Sequence, residues 1–193
     1  MTITRRGLLV GGTAGAAVAL GGVAAPALAA DDVWNNAFFT HIENRQGFDV
    51  NAMTADQTRN ARFIIALAAG YGISEYGTKI ALATAITEAW LNNYGPQVDH
   101  TSGGLFQQQT ATGWGTYDQV RNKLLATQAF LGVATHTRNP GLLTLGRDYK
   151  KMAFGAAAQA VQRSAYPERY DQARPAAEAL WKRHADSVKP FHP

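Results

Sequence analysis

The chain has 193 residues, 46% of them hydrophobic and 17% charged, with 18 Lys+Arg against 14 Asp+Glu for a formal charge of +4. It has no cysteine, which excludes thiol catalysis, disulfides and thiolate metal sites. No basic block interleaved with aromatics is present, so nucleic acid is not an expected partner, and the five histidines are scattered without an H-x-x-x-H pair, so neither metal nor cofactor is expected.

Residues 1–30 read as an export signal. A short head carrying Arg5 and Arg6 precedes an uncharged Gly/Ala/Val/Leu-rich stretch from Gly7 to Ala24. Ala25-Pro-Ala-Leu-Ala-Ala30 then supplies small residues for a peptidase ahead of Asp31 and Asp32. The adjacent arginines, with Thr4 before them and Gly7-Leu8-Leu9 after, resemble the twin-arginine motif, whose translocon carries folded proteins. An ordinary secretory signal with a chance arginine pair is the alternative. A retained membrane helix fits poorly, because the run is glycine-rich, weakly apolar and followed by a cleavage site. Cleavage would leave 163 residues, enough for one core, and would lower the charge to +2. The expected location is outside the cell or on its wall, without a stable membrane anchor.

Residues 31–54, with Trp34, Phe38, Phe39 and Phe48, read as an N-terminal arm or short helix, and residues 55–193 as the folded domain. Thr54-Ala-Asp-Gln57 is a capping-box pattern, and Ile64, Ile65, Leu67 and Ala68 mark the apolar stripe of a helix over 55–69. A second run, Lys79 to Leu91, is apolar on nearly every face, as a central buried helix should be, with Thr78 as its cap and Glu88 in its last turns. Residues 95–116, rich in Gly, Gln, Thr and Ser, read as loop rather than strand. Further helices are predicted over 117–132, 149–164 and 167–184, with a turn at Asn139-Pro140-Gly141 and a kink or break at Pro175. The fold class is mostly α.

Glu88 stands out, being a carboxyl at the end of an apolar helix and just before a polar, glycine-rich loop. Burial and the negative end of the helix both disfavour its ionised form, so it could hold a proton near neutral pH and act as a general acid. It could also be an exposed Glu on a wet helix face. In the segment Ser102-Gly-Gly-Leu-Phe-Gln-Gln-Gln-Thr-Ala-Thr-Gly-Trp-Gly-Thr116, glycines permit close backbone approach, Gln107 and Gln108 offer amides, and Trp114 offers a flat face suited to a sugar ring. Such a segment can bind carbohydrate or can be an ordinary packed loop.

Glu88 followed by Ser102-Gly-Gly-Leu-Phe-Gln-Gln108 resembles the Glu…Gly-Leu-(Met/Phe)-Gln signature of the lysozyme-like superfamily, which includes soluble lytic transglycosylases and goose-type lysozymes. With Gly113-Trp-Gly-Thr116 and Ala158-Gln-Ala-Val-Gln-Arg-Ser-Ala-Tyr-Pro167, the chain is more similar still to secreted actinobacterial lysozyme-like proteins of mostly undefined activity. The resemblance spans roughly residues 60–172. It implies an α-helical domain with a saccharide cleft, in which Glu88 protonates a glycosidic oxygen. Gly104, Leu105, Phe106 and Gln107 take the places of the cleft motif, Ser102, Gln108 and Trp114 join them as ligand candidates, and Tyr166 or Tyr170 supplies a tyrosine aimed at the carboxyl. Lytic transglycosylases usually follow the acid with Ser, where this chain has Ala89.

Glycosidases generally need a second carboxylate. Asp99 is the better candidate, with a structural turn role as its alternative, and Asp118 the poorer one, since Asp at a helix start is common for capping reasons. With neither, Glu88 could act as acid and then base while the sugar's own hydroxyl closes an anhydro ring. The expected protein is thus a secreted, monomeric, cofactor-free glycosidase or lytic transglycosylase with peptidoglycan or a related polysaccharide as its partner. The alternatives are a non-catalytic wall-binding protein and an enzyme for another polysaccharide.

Overall fold

The computed structural model describes residues 47–94 and 101–193. The export signal, most of the N-terminal arm and Asp99 lie outside the described residues. Among the described residues six α-helices dominate, and the mostly α class holds.

Helix α1 spans Ala55–Gly70 and starts with the expected capping box: the Thr54 hydroxyl accepts from the Gln57 amide at 3.2 Å, and Gln57 Oε1 accepts from the Thr54 amide at 2.8 Å. Its buried stripe of Ala61, Ile64, Ile65 and Ala68 faces the core. Helix α2 spans Glu75–Ala89, starting earlier and ending earlier than its apolar run suggests. Ser74, not Thr78, is the cap, accepting from the Gly77 amide at 3.2 Å, while Thr78 lies inside the first turn and donates to the Ser74 carbonyl at 3.1 Å. Gly77 is tolerated there because a Cβ would come within 2.8 Å of Ile73 and Tyr149 side-chain atoms.

Between α2 and the next helices lies a small hairpin, β1 (Ser102–Gly103) paired antiparallel with β2 (Gln108–Gln109), where sequence composition suggested loop alone. The predicted helix over 117–132 is two, α3 (Tyr117–Arg121) and α4 (Lys123–Leu131). Asn122 divides them: its extended backbone ends α3, and its side chain accepts from the amides of Leu124 and Leu125 to begin α4. The predicted helix over 149–164 likewise divides into a 3₁₀ turn at Tyr149–Lys151 and α5 (Phe154–Gln162), because Met152 and Ala153 are extended and the Met152 carbonyl accepts from the Tyr76 hydroxyl at 2.9 Å. Asn139-Pro140-Gly141 bends into a 3₁₀ turn at Leu142–Thr144.

Helix α6 runs Glu168–His184 through Pro175, so of the kink or break expected there the break does not occur. Pro175 is exposed, so the Asp171 carbonyl that loses its amide donor sits on a face solvent can reach. Helix α2 is the hub: Ile80 through Ile86 are all buried, and it packs most extensively on α6, then on α1, α5 and α4. Beyond α6, the Phe191 amide donates to the Ala66 carbonyl at 2.9 Å, and Gly70 leaves room for that crossing, since a Cβ there would sit 1.9 Å from the Phe191 carbonyl oxygen. Among the described residues, no helix is long and apolar enough to cross a membrane.

Candidate active site

The end of α2 breaks two local rules. It has no basic residue in its last turn to offset the helix dipole, and it carries Glu88 there instead. The two residues after it, Trp90 (φ 50°) and Leu91 (φ 58°), are both left-handed although neither is glycine, at a cost of about 1–2 kcal/mol each. Sequence reasoning places this end at Asn92; the structure ends the helix at Ala89 and folds the next two residues back.

Glu88 faces α6. The Tyr170 hydroxyl, fully buried, donates to Glu88 Oε1 at 2.5 Å. Glu88 is half-buried as a residue, and the surroundings of its carboxyl are densely packed, so the carboxyl is desolvated. Desolvation pushes its pKa up to about 7, against the opposing pull of hydrogen bonds from Tyr170 and Gln162 and of the Arg169 charge. The Tyr170 phenol is raised above its ordinary range, by burial first and by the Glu88 carboxylate second, so it stays a donor.

The Gly-Leu-Phe-Gln segment forms the turn of the hairpin. Gly104 (φ 69°) is required, since a Cβ would lie 2.1 Å from the Val120 carbonyl oxygen as well as being left-handed. Leu105 and Phe106 are buried, Phe106 stacking on Phe130 with centroids 4.8 Å apart. Gln107, left-handed at φ 45°, folds its amide onto the Gly104 carbonyl at 3.0 Å and is the one residue of the four with partial exposure. The segment meets the acid through Gln162 of α5, whose amide donates to the Phe106 carbonyl at 2.6 Å and lies near enough to the Glu88 carboxyl to favour its ionised form.

Several predicted ligand residues are elsewhere or inside. Ser102 and Gln108 are buried, Gln108 donating to the Ala126 carbonyl at 3.1 Å. Trp114 is 7% exposed and belongs to the core, so it has no free face for a sugar; left-handed Gly113 and Gly115 on either side turn its ring inward. Of the two tyrosines, Tyr170 meets Glu88. Tyr166 is 52% exposed, with the Arg169 guanidinium 4.0 Å above its ring. Asp118 is exposed in the first turn of α3, at the positive end of the helix dipole, while Thr116 is the cap. Among the described residues, the groups acting on the Glu88 charge are Tyr170, Gln162 and Arg169, none of them a carboxylate.

Gln162 lies within the Ala158–Pro167 stretch with no local signal of a role, and Gln57 and Asn60, which hold the end of α2, give no signal beyond the capping box. A surface depression lined by Glu75, Lys79, Glu178, Trp181 and Lys182 lies at the opposite end of α2 from Glu88. Neither comparison with protein-family models nor comparison with curated proteins gives a match.

Proposed function

We propose that this chain is an exported glycoside-cleaving enzyme of the lysozyme-like kind, acting on peptidoglycan or a related polysaccharide with Glu88 as its general acid. The observation that carries the reading is a carboxyl at the end of α2 with one oxygen held by a buried tyrosine, where desolvation raises its pKa to about 7. Glu88 would give that proton to the bridging oxygen of a glycosidic bond as the bond breaks, and Tyr170 with Arg169 would stabilise the carboxylate so formed.

One route open to Glu88 needs a single protein carboxyl. Glu88 then takes back a proton from the sugar's own hydroxyl as that oxygen bonds to the anomeric carbon, giving an anhydro ring. A lysozyme-type hydrolysis would instead need a second carboxylate, for which Asp99 is the candidate. Glu88→Gln keeps the shape and the Tyr170 hydrogen bond but removes the proton donor, so turnover on purified cell wall should fall by roughly 10²–10⁴-fold. Unchanged release of soluble fragments would overturn the assignment, and mass spectrometry of wild-type products separates anhydro from reducing ends. Ala89, fully buried where transglycosylases carry Ser, favours a second reading as a glycan-binding protein without turnover. Binding to insoluble peptidoglycan without fragment release would mark that case.

A further inference from the structure

Helix α1 does more than pack against α2. The Trp90 carbonyl accepts from Gln57 Nε2 at 2.9 Å, and the Leu91 carbonyl accepts from Asn60 Nδ2 at 2.9 Å. Both amides are buried, and they sit three residues apart on one face of α1, one helical turn. The carbonyls they hold belong to the two successive left-handed residues that close α2. The same two residues are tied inward by their own amides, Trp90 to the Ile86 carbonyl at 2.9 Å and Leu91 to the Ala85 carbonyl at 3.0 Å. Gln57 is used at both ends, its Oε1 capping α1 and its Nε2 reaching Trp90.

A left-handed conformation at two adjacent non-glycine residues persists only where the surroundings over-determine it. Here the over-determination comes from two side-chain amides, which bond to the backbone whatever side chains stand at 90 and 91. The chain leaving this turn is also fixed at once: the Tyr94 carbonyl accepts from the Gly104 amide at 3.3 Å, Asn93 donates to the Arg121 carbonyl at 2.9 Å, and Leu91 and Tyr94 are buried. The clamp therefore determines where α2 stops, one residue past Glu88, and how the chain leaves the turn.

We infer that Gln57 and Asn60 are positioning residues, which lock the double left-handed turn after Ala89 and thereby hold the Glu88 carboxyl at its depth against Tyr170. The inference rests on the reading of Glu88 as the acid only for its consequence in turnover; its structural content stands on the clamp. The titratable or charged groups that face Glu88, Tyr170 and Arg169, both belong to α6, so loosening the α1 side changes how deeply the carboxyl sits without removing a charge next to it.

The test is the titration of Glu88 in the full chain, followed by carbon NMR of side-chain carboxyls and assigned by difference from Glu88→Gln. In Asn60→Ala and in Gln57→Ala the Glu88 midpoint should drop from near 7 toward the ordinary glutamate range, by a unit or more, as water reaches the carboxyl. Thr127→Val is the control, because it removes another fully buried side-chain hydrogen bond, to the Lys123 carbonyl in α4, and should cost comparable stability without moving that midpoint. A midpoint that stays put in both clamp variants while their Tm falls would overturn the proposal and leave the clamp as ordinary stabilisation. If Asn60→Ala does not fold, Asn60→Ser, which keeps a shorter donor, replaces it with the same expectation. The titration needs no substrate, so it succeeds or fails apart from the glycosidase reading. If that reading also holds, kcat should fall about tenfold with KM little changed.

Discussion

The two ends of α2 are built to opposite rules. At its start, Ser74 caps the helix, Thr78 bonds back to the Ser74 carbonyl, and Glu75 places a negative charge at the positive end of the dipole while pairing with Lys79. At its finish, a glutamate stands at the negative end, no basic residue answers it, and the chain turns through two left-handed residues held from outside by α1. One helix thus shows where local interactions agree with the fold and where they are overruled. The overruled end is the one with chemistry to offer.

Substitutions at the two ends should separate activity from stability. The largest effect belongs to Glu88→Gln, with its roughly 10²–10⁴-fold loss of turnover, about 3–5 kcal/mol in the barrier. The same substitution should stabilise the protein above neutrality. Glu88 in the fold holds its proton up to about pH 7, whereas unfolded glutamate releases it near 4.5. The native state therefore binds more protons between those values, and wild-type stability falls as pH rises through that window. Denaturant unfolding of wild type and Glu88→Gln should show a gap opening from pH 4.5 to 8, on the order of 2–3 kcal/mol in favour of Gln. A gap that closes with pH would show the carboxyl to be a stabilised anion rather than a buried acid.

Tyr170→Phe comes next. Its hydroxyl favours the carboxylate, so its removal should move the alkaline limb of the pH–rate profile upward and lower kcat about tenfold through lost orientation. A limb moving downward would refute that role. At the other end, Ser74→Ala should cost about 1 kcal/mol of unfolding free energy and leave kcat unchanged. The smallest effect is expected from Glu75→Gln, a few tenths of a kcal/mol, since its ion pair with Lys79 is solvent-facing on the Glu side. A measurable loss of turnover in either variant would erase the contrast between the two ends.

What sequence revealed follows the same division. The apolar stripe of α1, the uninterrupted core of α2 and the capping box at Thr54 were legible because local pattern and tertiary packing agree there. Glu88 was legible as a charge out of place, and Gly104 as one of the loop glycines that permit close backbone approach. Trp90 and Leu91 were not, because nothing in a Trp-Leu pair signals φ > 0; the cause lies more than thirty residues earlier in two amides of α1. The burial of Trp114 was hidden for a related reason, since whether an aromatic ring faces solvent or core depends on how the backbone turns on either side of it. Asn122 gave one helix where there are two, because a residue that caps is also tolerated within a helix, and only its contacts decide.

Pro175 bears on how α6 opens in solution. By lacking an amide it removes one rung from the ladder between the segment Glu168–Arg174, which carries Tyr170, and the remainder of the helix to His184. Local opening of a helix propagates rung by rung, so a missing rung is a boundary between exchange units. Amides of residues 172–174 should therefore exchange with solvent deuterium faster than those of 177–181, and the difference should shrink in Pro175→Ala. The partner of the acid would then ride on the looser half of a helix whose other half is fixed in the core.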